Sequence, residues 1–261
     1  MRGGREGLGL IPHIRGGDDF AAVFEVSREA VARLECYGAL LRQWQRAVNL
    51  VAASTLDDIW HRHFADSAQL LALVGNARSL VDLGSGAGFP GLVLAILWAD
   101  IAVTSPAKAE PAYALPGAAA AEGAGLRRVR LVESNARKCA FLAEVVARTG
   151  IGARIAVDIL STRGEAAATQ ATVRGAEVIS ARAVAPLGRL LVLAAPLFSP
   201  GTVGVFLKGR DAAAELEIAQ QMWNFQVELF PSRTEADGHI VVIRRPSARP
   251  RANRDRRTAR G

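Results

Sequence analysis

The sequence predicts an α/β fold: a mostly parallel sheet with helices between its strands, a C-terminal antiparallel hairpin and an N-terminal helical extension. Three features point to it. From Arg78 onward, short apolar runs alternate with stretches of helical periodicity. The first apolar run passes directly into "GSGAGFPG", a Gly-rich turn of the kind that lets backbone approach a ligand. The last two apolar runs have no helix between them and are joined by "PSRTEADG", a hairpin-length loop.

The elements follow in order. Residues 1–26 begin Gly-rich and are expected to be flexible. From Ser27, Val31, Leu34, Tyr37, Leu41, Trp44 and Val48 recur at helical spacing, with Ser27 as N-cap. "NLVAAST" ends that helix, and a second starts after Ser54 or Thr55, with Leu56, Ile59, Trp60, Phe64, Leu70, Leu71 and Val74 on its apolar face. Residues 27–76 therefore form a helical unit, and 77–245 the sheet domain. Within the latter, "SLVDL", "RVRLVES", "ARIAV", "AEVISAR" and "GTVGVFLKG" read as strands. Helices at "PGLVLAILWA", "ARKCAFLAEVVARTG", "PLGRLLVLAAPLF" and "DAAAELEIAQQMW" separate them, with Pro90 in a first turn and Gly150 as a C-cap. "FQVELF" and "HIVVIRR" form the hairpin. Residues 101–128, rich in Ala, Pro and Gly, read as an inserted loop.

Bulk composition narrows the function classes. A chain of 261 residues, half of them hydrophobic, can bury a sizeable core. Its net charge of +7 is concentrated at one end, since the stretch from Arg244 onward holds eight Arg and one Asp, and the rest is formally neutral. Residues 246–261 thus read as a disordered basic tail suited to polyphosphate, or simply as a solvated terminus. Cys36 and Cys139 are far apart and lack CxxC spacing, which argues against a disulfide framework or a zinc site and for a reducing compartment. "MRGGREGLGLIPHIRGG" has no apolar core of a secretory leader, and no long uncharged apolar run is present, so a cytoplasmic monomer without membrane or metal is expected.

"VDLGSGAGFPG" satisfies two patterns. From Gly86 it is G-x-G-x-x-G, the dinucleotide fingerprint; from Asp82 it is D-x-G-x-G-x-G, a pattern of S-adenosylmethionine (AdoMet) methyltransferases. The dinucleotide reading needs a ribose-binding acid about 20 residues on, and the nearest, Glu110, sits in "KAEPAY" and not at a strand end. Glu133 does end a strand. A carboxylate at Asp82 disfavours a pyrophosphate and suits a ligand with an ammonium and a sulfonium. The terminal hairpin also favours AdoMet, and the expected sheet is the Rossmann-like sheet of a class I AdoMet-dependent methyltransferase. Cofactor contacts are expected from Asp82, Gly84, Ser85, Gly86, Gly88, Phe89, Pro90, Gly91, Glu133 and Ser134.

The stretches "WQRAVNLVAAS", "RHFADS", "VDLGSGAGFPGLVLAI", "LVESNARKCAFL", "ISARAVAPL" and "FLKGRD" together resemble the bacterial small-subunit rRNA methyltransferase G family, also called glucose-inhibited division protein B. The resemblance implies methyl transfer from AdoMet to N7 of one guanine in 16S rRNA near the decoding site, with 16S rRNA or the small subunit as partner. It also implies that Arg62, His63 and Asp66 sit at the mouth of the cofactor or guanine pocket, and that Asp158 is the acid at the adenine edge. The 101–128 segment has no counterpart in the family pattern.

Guanine N7 carries a lone pair and no proton, so attack needs no base, and catalysis rests on positioning and electrostatics. Cys36 and Cys139 lie in helical patterns and are assigned to the core. On a helix His61 and His63 point apart and cannot share a metal. The plain alternative for this stretch is a partly buried His63 paired with Asp66, and an i,i+4 pair of Arg62 with Asp66. Arg182, at the C-terminal end of a strand, is assigned to guanine, phosphate or cofactor. His63, Asp66 and Arg182 are thus the expected catalytic set. Arg62, Arg137, Lys138, Lys208, Arg244 and Arg245 are expected to meet RNA. A methyltransferase acting on a protein or small molecule, or an RNA-binding relative without catalysis, stays open on these residues.

Overall fold

A computed structural model of the chain describes residues 9–104, 126–167 and 173–250. Most of the 101–128 segment and residues 251–261 of the tail lie outside the described residues.

The described chain is three-layered. Seven strands lie in the order β3-β2-β1-β4-β5-β7-β6. These are β1 (Ser79–Leu83), β2 (Arg128–Glu133), β3 (Ala156–Ser161), β4 (Val178–Arg182), β5 (Val203–Lys208), β6 (Trp223–Pro231) and β7 (His239–Ala248). The first five are parallel, whereas β7 runs antiparallel to both β5 and β6, as the hairpin predicts. The order reverses at β1, whose two neighbours are β2 and β4. At such a reversal the connections leave in opposite directions and open a crevice above the carboxyl ends of the strands.

One face of the sheet is covered by α5 (Gly91–Thr104), α6 (Ala136–Thr149) and the N-terminal helices, the other by α8 (Leu187–Ala194) and α9 (Ala212–Met222). A short α7 (Gly164–Ala167) follows β3. From Gly91 to Ala99 helix α5 is apolar all round because it is covered all round, by the sheet beneath and by α2 (Arg28–Gln45) above. Ser27 caps α2, accepting the Ala30 N–H, as its position predicts. Ser27 also binds Asp100 of α5, which ties the two helices together.

Several expectations change. Residues 9–26 are not a loose leader: they carry α1 (Gly17–Phe24), and Ile14 and Phe20 are fully buried. The pattern after Thr55 is not one helix. It is a π-helical turn at Trp60–Ala65 followed by the short α3 (Asp66–Ala68) and α4 (Leu71–Val74). The third strand starts at Ala156, later than "ARIAV" suggests, because Ile151–Ala153 is a tight 3₁₀ turn. Helix α5 continues through Thr104, so residues 101–104 are helix and not inserted loop. At the C-terminus β7 runs to Ala248, so Pro246 to Ala248 belong to the sheet and not to a tail. A register shift opposite Phe225 accommodates Pro246, which cannot donate to the ladder.

Candidate active site

A cleft of about 860 Å³ opens above the β1–β4 reversal. Its floor is the Gly-rich turn: Gly84, Ser85, Gly86, Ala87 and Phe89 line it. Gly86 has φ +57°, where an L side chain is strained, and its N–H turns to Glu133 Oε2 at 2.9 Å. Glu133 Oε1 accepts the Asn135 N–H at 2.8 Å. Glu133 is nearly buried beside the cleft, not among its lining residues. The Gly loop and its acid therefore share one site although Gly86 and Glu133 are 47 positions apart in sequence. Parallel pairing of β1 with β2 explains it: Leu83 lies opposite Val132, so both strands end at the same rim. Ser134 is exposed on that rim.

Gly88, Pro90 and Gly91 do not reach the cleft; they are buried beneath it. Gly91 starts α5 directly on the sheet, where a Cβ would come within 2.5 Å of Leu131 and 2.9 Å of Asp82. Asp82 is also misplaced by the sequence reading. It is fully buried, accepts from Ser180 Oγ at 2.7 Å and from the Gly91 N–H at 3.3 Å, and does not face a ligand. Its place in the interior follows from the strand alternation, which sends it under the helix start. Burial raises its pKa to about 6, with Ser180, Ser85, Gly91 and Arg182 opposing the rise.

Tyr37 of α2 fixes this loop from behind. Its buried hydroxyl donates to the Ala87 carbonyl, and its ring stacks on Phe89 at 5.4 Å and 18°. Burial holds the phenol pKa well above its ordinary value, so it remains a donor. Tyr37→Phe is expected to weaken AdoMet binding about tenfold by freeing the Ala87 carbonyl. Calorimetry with AdoMet checks this, and wild-type affinity in the variant would remove Tyr37 from the site's support.

On the opposite wall the three expected catalytic residues do meet. Arg182 Nη1 donates to Asp66 Oδ2 at 3.2 Å and to the Arg62 carbonyl at 3.1 Å. Arg182 Nη2 donates to His63 Nδ1 at 2.9 Å, and the guanidinium lies 4.7 Å from the Phe89 ring centre. His63 stacks on Phe89 at 4.8 Å and 16°. Since Arg182 can only donate, Nδ1 carries a lone pair and Nε2 carries the proton, which goes to Thr55 Oγ1 at 2.8 Å. Burial, then Arg182 and Arg62, push the His63 pKa down to about 3.

The expected pairs within the helical stretch are not formed. His63 does not bind Asp66, and Arg62 pairs instead with Glu235 at 3.1 Å. The π-helical turn accounts for this, because the Asp66 N–H reaches back five residues to His61 and the α-helical i,i+4 spacing is lost. Asp66 Oδ1 accepts from Gln69 and from Thr234, at 2.9 Å each. Buried Gln69 also binds Arg233 and Ser232 of the β6–β7 loop. That loop is a wall of the cleft, through Ser232, Thr234 and Glu235. Tyr37, Gln69 and Thr234 were invisible to motif reading, since their roles exist only across elements.

Charge linkage through His63 gives a testable pH effect. The unfolded imidazole titrates near 6.5 and the folded one near 3. Between these values the unfolded state binds the extra proton, so this group makes stability fall as pH falls below 6.5. Asp82 acts oppositely, its folded pKa being raised from 3.8 to about 6, so its contribution falls as pH rises through that window. The His63→Asn variant isolates the first term. Relative to it, wild type should lose about 2 kcal/mol between pH 7.5 and pH 5 in urea melts. A constant difference across that range would contradict a neutral, buried His63.

The remaining assignments divide. Asp158 lies mid-strand in β3 opposite Arg130, away from the strand ends, and its carboxylate pairs with Arg128 at 2.7 Å and Arg130 at 3.7 Å. It is therefore not the adenine-edge acid. The β3 residue level with Glu133 is Ser161. Lys138 and Arg62 line the cleft, and Arg137 is exposed beside Lys138 at the start of α6. Lys208 lines it too, but its ammonium is held by Glu215 at 2.7 Å and the Ala185 carbonyl at 2.6 Å. Arg244 and Arg245 lie far along β7, on the edge of the sheet opposite the cleft, where Arg244 pairs with Glu228. No group of metal-binding side chains occurs among the described residues, and no described helix is long and apolar enough to cross a membrane.

The family described as rRNA small subunit methyltransferase G matches residues 30–105 and 115–241. This chain belongs to that family. The break in the match falls within the 101–128 segment. The "Ribosomal RNA small subunit methyltransferase G" of Rhodospirillum centenum is 47% identical over 226 residues, covering 86% of this chain and 88% of that protein. The protein of the same name from Rhodospirillum rubrum is 47% identical over 225 residues, covering 86% and 94%. In fold, the chain is similar to the O-methyltransferase TomG from Streptomyces achromogenes in complex with SAM, with a TM-score of 0.50 at 11% identity, covering 87% of this chain and 94% of that one. Family membership makes the chain an rRNA methyltransferase with AdoMet as its methyl donor.

The residues present fit that donor. The Gly84–Ala87 backbone is open to the cleft, and a Cβ built on Gly86 would find only the Gly84 carbonyl, at 3.7 Å. Glu133 uses one hydrogen bond per oxygen, which leaves lone pairs for ribose hydroxyls. Asp82, by contrast, has no access to a bound ligand.

Proposed function

We propose that this chain methylates N7 of a guanine in 16S rRNA, working as a cytoplasmic monomer on the rRNA or the small subunit. The observation that carries this reading is the state of His63, the imidazole stacked on Phe89 at the cleft floor; the cleft's other described imidazole, His239, lies on the far wall where β7 begins. His63 is neutral, yet its free lone pair is occupied by Arg182, so it is no proton acceptor. Chemistry at a protonated nucleophile would need such an acceptor; guanine N7 does not.

AdoMet, when bound, supplies an electrophilic methyl group whose sulfonium charge disappears on transfer. Glu133 and the Gly loop would hold it, and Tyr37 fixes the loop. Arg182 uses three of its five N–H groups on Arg62, Asp66 and His63, leaving two for acceptors on the base. Asp66 and His63 lock the guanidinium plane, so the donors are aimed before substrate arrives. The β6–β7 loop and Phe89 line the cleft beside these donors.

The test is transfer of tritium from labelled AdoMet to 16S rRNA, naked and within 30S subunits that lack this modification, followed by nucleoside analysis. Label is expected in 7-methylguanosine. Label in another nucleoside, or none, would overturn the assignment.

A further inference from the structure

The cleft supplies only part of the charge that a polyanionic substrate asks for: among its lining cations, Lys138 alone has no ion pair. Three of its cations are neutralised within it: Arg182 by Asp66, Lys208 by Glu215 and Arg62 by Glu235. A larger group of arginines lies elsewhere. Strands β1 to β5 all start at the edge opposite the cleft, and β7 ends there. Neighbouring strand ends bring arginines to that one rim. Arg154 precedes β3, Arg128 opens β2, Arg78 precedes β1, Arg174 precedes β4, and Arg245 and Arg249 close β7.

With strands about 4.8 Å apart, the row from β3 to β7 is about 25 Å long. Arg128, Arg154, Arg174, Arg245 and Arg249 are exposed. The acids that meet the rim are already engaged. Asp158 pairs with Arg128 and Arg130, Glu228 with Arg244, and Glu177 accepts the Arg78 N–H. Among the described residues, no carboxylate lies within ion-pair distance of Arg154, Arg174, Arg245 or Arg249. Burial, and after it the charge of Arg78, hold the Arg127 guanidinium below the ordinary arginine range, while Glu177 opposes the shift.

We propose that this arginine rim, on the far side of the sheet from the cleft, is a second RNA-binding surface that grips the phosphate backbone of an RNA duplex. A row of exposed guanidiniums on strand ends offers donors to phosphate oxygens, so it reads charge and shape and not sequence. The cleft then selects the base, and the rim supplies much of the sequence-independent affinity. The proposal rests on the rRNA reading only for which duplex is bound.

The test neutralises three exposed arginines that make no ion pair among the described residues, in the triple variant R154Q/R174Q/R245Q of the full chain. Binding to a generic RNA duplex is measured against salt, and methylation of 30S subunits at steady state. Neutralising three contacts should make the slope of log K against log salt shallower by about 2 to 3. KM for the subunit should rise about tenfold, with kcat and AdoMet affinity unchanged. Unchanged slope and KM would overturn the proposal. The triple Arg-to-Lys variant keeps the charges and should behave as wild type; if it fails as the Gln variant does, charge is not the cause and the proposal falls. A wild type that binds duplex RNA with a steep salt slope yet forms no 7-methylguanosine would sink the proposed activity and still support this surface.

Discussion

Arg182→Ala is expected to lower kcat/KM for the RNA substrate about 100- to 1000-fold, with AdoMet affinity changed far less. The side chain joins β4 to the helical unit through Asp66, His63 and the Arg62 carbonyl. Removing it erases the aimed donors and leaves the Asp66 carboxylate and the His63 lone pair without their shared partner. Asp66→Ala should cost nearly as much, because an untethered Arg182 keeps its charge and loses its direction. The double variant should then be little worse than either single, as expected of residues acting as one unit. Fully additive losses would show that the two act separately. Arg182→Lys sharpens the test: it keeps the charge but not the planar fork, and should recover less than a tenth of the loss. Thermal melts of all variants separate catalytic from structural damage.

Glu133→Ala is expected to weaken AdoMet binding about 100-fold, because a charge-assisted bond of roughly 1.5–3 kcal/mol disappears on each side of the carboxylate. One bond holds the Gly86 N–H and the other the Asn135 N–H that leads into α6. Without the acid the loop loses both a ligand contact and its own anchor. Glu133→Gln retains one acceptor and turns an N–H toward one of those donors, so it should be intermediate. Calorimetry with AdoMet gives the answer directly, and unaltered affinity in Glu133→Ala would remove this residue from the cofactor site.

Much of this was legible in the sequence, for identifiable reasons. Alternating apolar runs and helical stretches are enforced by local periodicity, so the parallel sheet and its closing hairpin could be read before any contact was known. The meeting of the Gly loop with Glu133 was legible too, because both sit at strand ends and the sheet fixes where strand ends go. His63, Asp66 and Arg182 were found by motif and do converge. What failed was orientation. Asp82 has the right residue type at a strand end, but pleat alternation turns it inward, which its sequence neighbours do not reveal. Asp158 is assigned from the resemblance, which places an acid just after the third strand; that strand runs on to Ser161, and two arginines on the adjacent strand hold the carboxylate instead. The π-helical turn defeated the i,i+4 pairing of Arg62 with Asp66, since no local signal marks the extra residue per turn. Phe20 and Ile14 show the same limit, for a Gly-rich leader gives no hint that its apolar residues are docked against distant partners.

The ring of Phe89 touches residues from three separate stretches: Tyr37 on α2, His63 in the π-helical turn and Arg182 at the end of β4. Four side chains share one stack, so none can change size or polarity without disturbing the others. Across relatives, positions 37, 63, 89 and 182 should therefore drift as a set or not at all. A single exchange at any of them, harmless by its own chemistry, would carry a cost until its neighbours had moved with it.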